Sequence, residues 1–438
     1  MSTVTDQTSN EVRPQAAPPG RRTNYRWMLA FFAMLMVFMN YVDRVNLAVG
    51  APSIMKELHF TKVDLGFFST VFFLSYALFQ IPSGRLAEYF GHRKIVPLSL
   101  AWWSIFTSLT AVCHTYGGWV VVRALFGIGE APCYPGLNTG IFNWFPKRER
   151  GRAVGMMLLG SKIGPVFGIP ACTLLMIHYG WRSIFWVCGA IGLVIALAYY
   201  LLIRTYPHES PFVNQAELEH IADGQPVAKP TAAPKKAPWG EFLSSPQFWC
   251  LGIQLGTANF VSYVFIAWLP VYLLEAHHFS LKAMGFAAAI PEGSFALGNI
   301  VCGLLTDYLI GRKLATSKAR AWFGGLGQLM CCCGLYMTAI SEGKIATIFW
   351  LSLALAFLGF SMNSTWTSAS DLGGKFSGTV SGFMNFLANI IGGLAPIIVA
   401  WVATGWGWKA AILVTALSGI IGAIAWVFVR PHRPLRSA

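Results

Sequence analysis

Apolar runs of roughly twenty residues recur along the whole chain, each long enough to cross the hydrocarbon core of a bilayer as a helix. The runs predict about twelve membrane helices, at 27–49, 62–82, 95–113, 117–144, 152–178, 182–203, 246–274, 282–306, 319–340, 345–369, 377–403 and 409–429. A membrane β-barrel would instead show short segments of alternating hydrophobicity. The expected fold is therefore an all-α membrane protein. The longest polar interval, 204–245, contains PHESP, VAKPTAAPKKAP and NQAELEHIADG. Asn214 is placed to cap a short helix there, with Glu217 closing a capping box. The interval reads as a linker between six-helix bundles at 26–203 and 246–430, with tails at 1–25 and 431–438.

Composition agrees. Of 438 residues, 55% are hydrophobic and 11% charged, against about 25% charged in soluble proteins. A net charge of +14 would suggest nucleic acid in a soluble chain, but its distribution argues otherwise. Lys and Arg cluster in every second connection: Arg21, Arg22 and Arg26; Arg85, Arg93 and Lys94; Lys147 to Arg152; Arg204 to Lys236; Arg312 to Arg320; and Arg430 to Arg436. This is the positive-inside pattern. It predicts cytoplasmic termini, an even number of passes, and a lipid bilayer rather than nucleic acid as the partner. The first apolar run is too long for a cleavable signal core. The cysteines lie in or beside apolar runs without metal-ligand spacing, so free buried thiols and no metal are expected.

The two halves repeat. GRLAEYFGHRK at 84–94 follows the second helix and GLLTDYLIGRK at 303–313 follows the eighth. GRAVGMMLLGSKIGPVFGIP at 151–170 and GTVSGFMNFLANIIGGLAPI at 378–397 share small residues every three or four positions, which permits close helix approach. Parallel six-helix repeats are the mark of a secondary transporter with its site at the repeat interface. No GxSxG, HExxH, GxxxxGK[ST] or dinucleotide fingerprint is present, and GGKFSG lacks the Walker spacing. Neither an enzyme nor an ATP-driven pump is expected, and no cofactor beyond a coupling proton.

Candidate chemistry lies where charge meets apolar sequence. YVDR places Asp43 and Arg44 inside the first run, and RALFGIGEAP places Arg123 and Glu130 in the fourth. An ionisable group at the bilayer centre costs roughly 2.5–3.5 kcal/mol on insertion scales. Arg123 and Glu130 are nearly two turns apart on one face, and the helix directions bring Asp43 and Arg123 to similar depth, with Glu130 nearer the midplane. Two bases and two acids between the first and fourth helices could be static salt bridges. Function is favoured because apolar packing would replace static pairs at little loss. Arg offers a planar fork for a carboxylate, and an acid held between desolvation and a neighbouring Arg can titrate.

The chain resembles the major facilitator superfamily over nearly its whole length. GRLAEYFGHRK is similar to that superfamily's loop signature, carried here by Gly84, Glu88, Gly91 and Arg93, with Asp307 and Arg312 in the second copy; Glu88 and His92 replace the usual Asp and Arg. NYVDRVNLAV, FFLSYALFQIPSG, RALFGIGEAPCYP, NWFPKRERGRAVG, WLPVYLLE and SGFMNF resemble the anion:cation symporter family. That resemblance implies import of a sugar acid such as an aldonate, aldarate or hexuronate by proton symport, by a monomer in the bacterial cytoplasmic membrane. It implies Arg44 as the carboxylate contact, Asp43 and Glu130 as the protonation pair, and Arg123 as the switching partner. Tyr41, Tyr76, Asn385 and Trp366 match substrate-facing positions, Asn363 and Ser364 lie near Trp366, and Gln254 is one residue off the family's spacing. Lys162 and Glu292 depart from the pattern; Lys162 either snorkels to the cytoplasmic surface or adds a cation suited to a second carboxylate, and Glu292 is either a second proton site or a partner for Lys162. Aromatic or dicarboxylic acid symport, proton-coupled drug export and a channel or sensor are the rival readings.

Overall fold

The computed structural model describes residues 22–222, 238–312, 316–373 and 376–429. Both predicted tails up to Arg21 and from Arg430, the VAKPTAAPKKAP piece up to Ala237, and the side chains of Gly84 and Glu88 lie outside the described residues. The helices are α1 (Arg26–Leu58), α2 (Lys62–Phe90), α3 (His92–Thr110), α4 (Tyr116–Glu130), α5 (Cys133–Trp144), α6 (Lys147–Tyr179), α7 (Trp181–Leu202), α8 (Gln215–Ala222), α9 (Trp239–Ser244), α10 (Pro246–His277), α11 (Leu281–Gly311), α12 (Thr316–Ile340), α13 (Lys344–Gly373), α14 (Ser377–Gly393) and α15 (Ala395–Phe428). No strand occurs among the described residues. Nine segments there are long and apolar enough to span a bilayer. The last of the nine bends at Gly407 and makes two passes; α3 and the α4–α5 pair add two more, which gives twelve.

Local sequence explains the breaks. Pro132 has no N–H to donate, so the fourth pass is interrupted directly after Glu130 and restarts at Cys133. Thr61 and Asp64 form a reciprocal capping box that starts α2. Gly180 and Gly407 both have positive φ, 79° and 81°. A Cβ on either would meet open space, so conformation rather than crowding requires glycine at both.

These two turns belong to a repeat finer than the loop signature. Trp181 follows Gly180 and donates its indole N–H to Glu57 at the end of α1, 2.7 Å away. Trp408 follows Gly407 and donates to Glu275 near the end of α10, 2.8 Å away. Each bond fastens the first helix of a half to its last. The ion pairs then diverge. Glu57 pairs with Arg182 of its own half at 2.6 Å, whereas Glu275 pairs with Lys62 on α2 of the other half, also at 2.6 Å. On the side opposite the basic loops the halves therefore meet, and backbone contact continues inward, with Gly66 of α2 against Pro396 and Ala400 of α15.

On the basic side, α8 docks against the first half. Asn214 caps it, its Oδ1 accepting from Glu217 N at 3.0 Å. The expected reciprocal bond is not made. Glu217 instead accepts from Thr23 Oγ1, Tyr25 N, and the backbone and guanidinium of Arg26. Burial raises the Glu217 pKa, but these donors outweigh it and hold the carboxyl below the ordinary glutamate range. Arg26 also reaches Glu149 at the start of α6, so one guanidinium joins α1, α6 and the linker helix.

The first small-residue stretch works as its spacing predicts. Gly160, Gly164 and Gly168 of α6 lie against Met34, Phe38, Tyr41 and Val42 of α1. A Cβ at Gly160 would fall 2.2 Å from the Met34 carbonyl oxygen, which cannot swing aside, whereas a Cβ at Gly155 meets nothing within 4 Å. Gly160→Val should therefore destabilise the protein by about 1–3 kcal/mol, while Gly155→Ala leaves it unchanged or slightly firmer. Thermal unfolding of the purified variants in detergent checks this; equal melting temperatures would remove the α1–α6 contact from the account.

Candidate functional site

Neighbouring residues on a helix point about 100° apart, so Asp43 and Arg44 serve different partners. Arg44 turns to Glu130. Its Nε lies 3.0 Å from Glu130 Oε1, and Nη2 bonds the same oxygen. Glu130 sits at the α4–α5 break, fully buried; its other oxygen makes no close hydrogen bond among the described residues, with the Asn40 side chain acting on the carboxyl. The guanidinium carbon of Arg44 lies 5.1 Å from the Tyr41 ring, 5.0 Å from Tyr76, 5.5 Å from Phe72 and 5.8 Å from Phe73. The rings face the cation with their negative quadrupoles and exclude water around the pair.

Asp43 turns toward α3 and is likewise fully buried. It accepts from Trp103 Nε1 at 3.1 Å and Asn46 Nδ2 at 3.2 Å. Arg123 is buried among Trp119, Phe126 and Phe185, and its Nε and Nη2 have no hydrogen-bond partner among the described residues. No ion pair joins Arg123 to Asp43 among the described residues, yet both line one cavity. Arg44, Leu47, Ser69, Phe72, Phe73 and Phe126 complete its first-half wall, and Ile266 and Ala267 of α10 form the other. Its volume, about 20 Å³, suits roughly one water. One acid–base couple is thus closed and the other open, both anchored on α1.

A chain of polar side chains runs beside Arg44 and crosses between the halves. Gln80 donates to the Tyr76 hydroxyl at 2.9 Å, and Asn385 donates to Gln80 Oε1 at 3.1 Å. Asn389 donates to the Asn385 carbonyl at 2.8 Å and accepts from the Tyr263 hydroxyl at 2.6 Å. The Tyr263 ring then stacks on Phe73, centroids 3.9 Å apart. Gln80, Asn389 and Tyr263 were not singled out from the sequence. Gln80 and Asn389 each stand four residues after a residue that was, Tyr76 and Asn385, and that spacing on a helix face was the available signal.

Other expected residues are placed elsewhere. Asn363 donates to the Asn299 carbonyl at 3.3 Å and Ser364 lies 3.7 Å from Cys302 Sγ, so both join α13 to α11 within the second half. Gln254 is fully buried and bonds Ser361 and Thr365 across α10 and α13. Trp366 is partly exposed. Counting rise from the outer helix ends, it sits about 12 Å nearer the basic side than Arg44. In the loop motif, Gly91 has φ 74° at the α2–α3 turn and the Arg93 guanidinium lies 5.0 Å from the Tyr200 ring. Asp307 is exposed, and Arg312 lies over Tyr308. His92 is buried, with its ring nitrogens bonded to Tyr199 Oη and the Thr205 carbonyl, so it fastens α3 to the end of α7. Lys162 does not snorkel: its Nζ lies 4.0 Å from the centroid of Phe295, on α11 of the other half.

Known proteins share this architecture. The "Probable L-galactonate transporter" of Escherichia coli (strain K12) is 29% identical over 410 residues, covering 92% of this chain and 88% of that protein. The "Probable galactarate/D-glucarate transporter GudP" of the same organism is 28% identical over 427 residues, covering 93% and 94%. Among solved structures, a bacterial homolog to the human lysosomal transporter Spinster superposes with a TM-score of 0.79 at 20% identity, over 94% of this chain and 98% of that one. The sequence model of the Major Facilitator Superfamily matches residues 33–396. With twelve passes arranged as two repeating halves, this chain belongs to the Major Facilitator Superfamily and is a multi-pass membrane transporter, not an enzyme.

Proposed function

We propose that this protein imports an organic carboxylate, a sugar acid, by proton symport with alternating access. The observation that carries the reading is the buried Arg44–Glu130 pair inside an aromatic cage, flanked by hydrogen-bonding side chains from both halves. A carboxylate substrate needs the Arg44 fork, which Glu130 occupies. Protonation of Glu130 removes the competing negative charge. The second oxygen of Glu130, which does not bond Arg44, offers a place for that proton without breaking the bonds already made to the guanidinium. Arg44 then turns to the substrate carboxylate, while Tyr76, Gln80, Asn385 and Tyr263 offer donors and acceptors to its hydroxyls. Because these side chains come from both halves, bound substrate draws the halves together. Release of proton and substrate restores the internal pair.

Asp43 and Arg123 supply the second couple. Asp43 protonation lets Arg123 remain apart, and its deprotonation draws Arg123 across their shared cavity. The membrane potential adds about 2.3 kcal/mol per charge per 100 mV, so net entry of positive charge drives uptake. Two buried guanidiniums disfavour the cationic cargo of many drug exporters. Relatives that carry galactonate and galactarate or glucarate support the sugar-acid class. The reading places the protein in a bacterial cytoplasmic membrane with its basic loops inside, each monomer carrying a complete site.

Arg44→Ala should weaken binding of the transported acid at least ten- to a hundredfold, the worth of roughly 1.5–3 kcal/mol for hydrogen bonds to a charged group. Titration of the purified protein with galactonate and galactarate measures it, and unchanged affinity would remove Arg44 from the site. Glu130→Gln mimics the protonated acid. In proteoliposomes it should retain counterflow exchange while losing uptake driven by a proton gradient; equal loss of both, or equal survival, would sink the coupling role. Gln80→Ala should raise the half-saturating concentration of a polyhydroxylated acid several-fold and that of a deoxy analogue much less. A uniform effect on the two would make Gln80 a packing residue only.

A further inference from the structure

One charged couple is left over by that cycle. Lys162 on α6 and Glu292 on α11 face each other across the junction between the halves. Glu292 is 8% exposed, and its helix places it three residues before Phe295, the ring under the Lys162 ammonium. The two side chains act on each other electrostatically, yet no ion pair includes either among the described residues. A purely structural buried pair would be expected to close, because an open one forfeits the attraction that offsets desolvation. This lysine instead rests on an aromatic face, a contact worth roughly 0.5–2 kcal/mol that a carboxylate can replace.

The couple adjoins the Arg44 site. Gly164, two residues beyond Lys162, packs against the Tyr41 Cβ, and Tyr41 in turn lies beside the Arg44 guanidinium. Glu292 is also within electrostatic range of Tyr41. Counting rise from the outer helix ends, Arg44 lies about 21 Å deep, Lys162 about 26 Å and Glu292 about 17 Å. Tyr41 therefore separates two cationic points at similar depth.

We propose that Lys162 is a second anion contact, set opposite Arg44 across Tyr41, and that it makes this transporter selective for dicarboxylates. One carboxylate engages Arg44 and the other draws Lys162 from Phe295. Glu292 balances the ammonium charge while the site is empty. The inference rests on Arg44 as the first carboxylate contact.

Galactonate and galactarate test it, since they differ by one terminal carboxylate. Purified full-length protein should bind galactarate roughly ten- to a hundredfold more tightly than galactonate. Lys162→Gln should remove that preference by weakening galactarate alone, and Lys162→Arg should keep most of it. Glu292→Gln, which removes the anion that balances Lys162 in the empty site, should raise galactarate affinity; a fall would overturn the proposal. Equal wild-type affinity for the two acids overturns the proposal without any variant. So does Lys162→Gln weakening both acids alike, the behaviour of a helix-packing residue, or leaving the preference intact. If the wild type binds neither acid but binds other carboxylates in an Arg44-dependent way, this proposal falls and the Arg44 site stands. If it binds no carboxylate, both fall.

Discussion

Burying a guanidinium in a bilayer is costly unless a countercharge offsets it, and most of this site follows from how Arg44 meets that demand. Glu130 supplies the countercharge through a single oxygen, four aromatic rings supply quadrupoles, and a break in the fourth pass puts Glu130 where Arg44 can reach it. Replacing the pair with apolar residues would cost the fold little. What such a replacement could not supply, in the proposed cycle, is an exchangeable partner: Arg44 would face Glu130 in one state and the substrate carboxylate in another. A low dielectric makes that choice sharp, because an Arg left between partners is penalised heavily.

The repeat explains how this choice reaches the rest of the protein. Each half closes its outer corner with the same device, a positive-φ glycine, a tryptophan and an acid at the end of the half's first helix. Had the copies stayed identical, both acids would pair within their own halves. Glu57 does so with Arg182, whereas Glu275 takes Lys62 from the opposite half. An exposed pair of this kind is worth about 0–1 kcal/mol. That suits a contact that would form and break in the proposed cycle. Close packing joins helices within a half, as where α6 glycines lie against α1 or His92 links α3 to the end of α7, and also between halves, as where Gly66 lies against α15.

Much of this was legible in the sequence. Twelve passes follow from run length, and the four charges of the first and fourth helices from their rarity in apolar surroundings. Pairing was less legible. Asp43 and Arg123 share a cavity as helix depth suggests, but the closed pair is Arg44 with Glu130, because the residue spacing does not specify where Pro132 redirects the chain. Tyr263 and Gln80 were harder still. A single polar group in an apolar run serves equally well as a helix–helix hydrogen bond or a substrate contact, and only the opposing helix distinguishes them. Asn363 and Asn385 make the point: similar in sequence setting, one bonds a neighbour in its own half and the other crosses to Gln80. The capping box at Asn214 failed for a related reason. The local pattern was correct, but Arg26 and Thr23 offered Glu217 better donors than the backbone it was expected to cap.

The adjacency of Asp43 and Arg44 finally accounts for the opposite states of the two couples. Both are rigidly fixed to α1, one turned to α3 and the other to the α4–α5 break. Arg123 and Glu130 are fixed to α4, nearly two turns apart. Two rigid helices thus carry two acid–base couples, one acid and one base on each. Any rotation or slide of α1 against α4 alters both separations together, so closing one couple and opening the other is a single geometric change. A proton on either acid removes the attraction in its own couple and biases that change. The cavity shared by Asp43, Arg44 and Arg123 supplies the space in which it occurs. In the proposed cycle, coupling of proton to substrate needs no relay between distant sites, because the helix that would present the substrate's cation also carries one of the acids proposed to titrate.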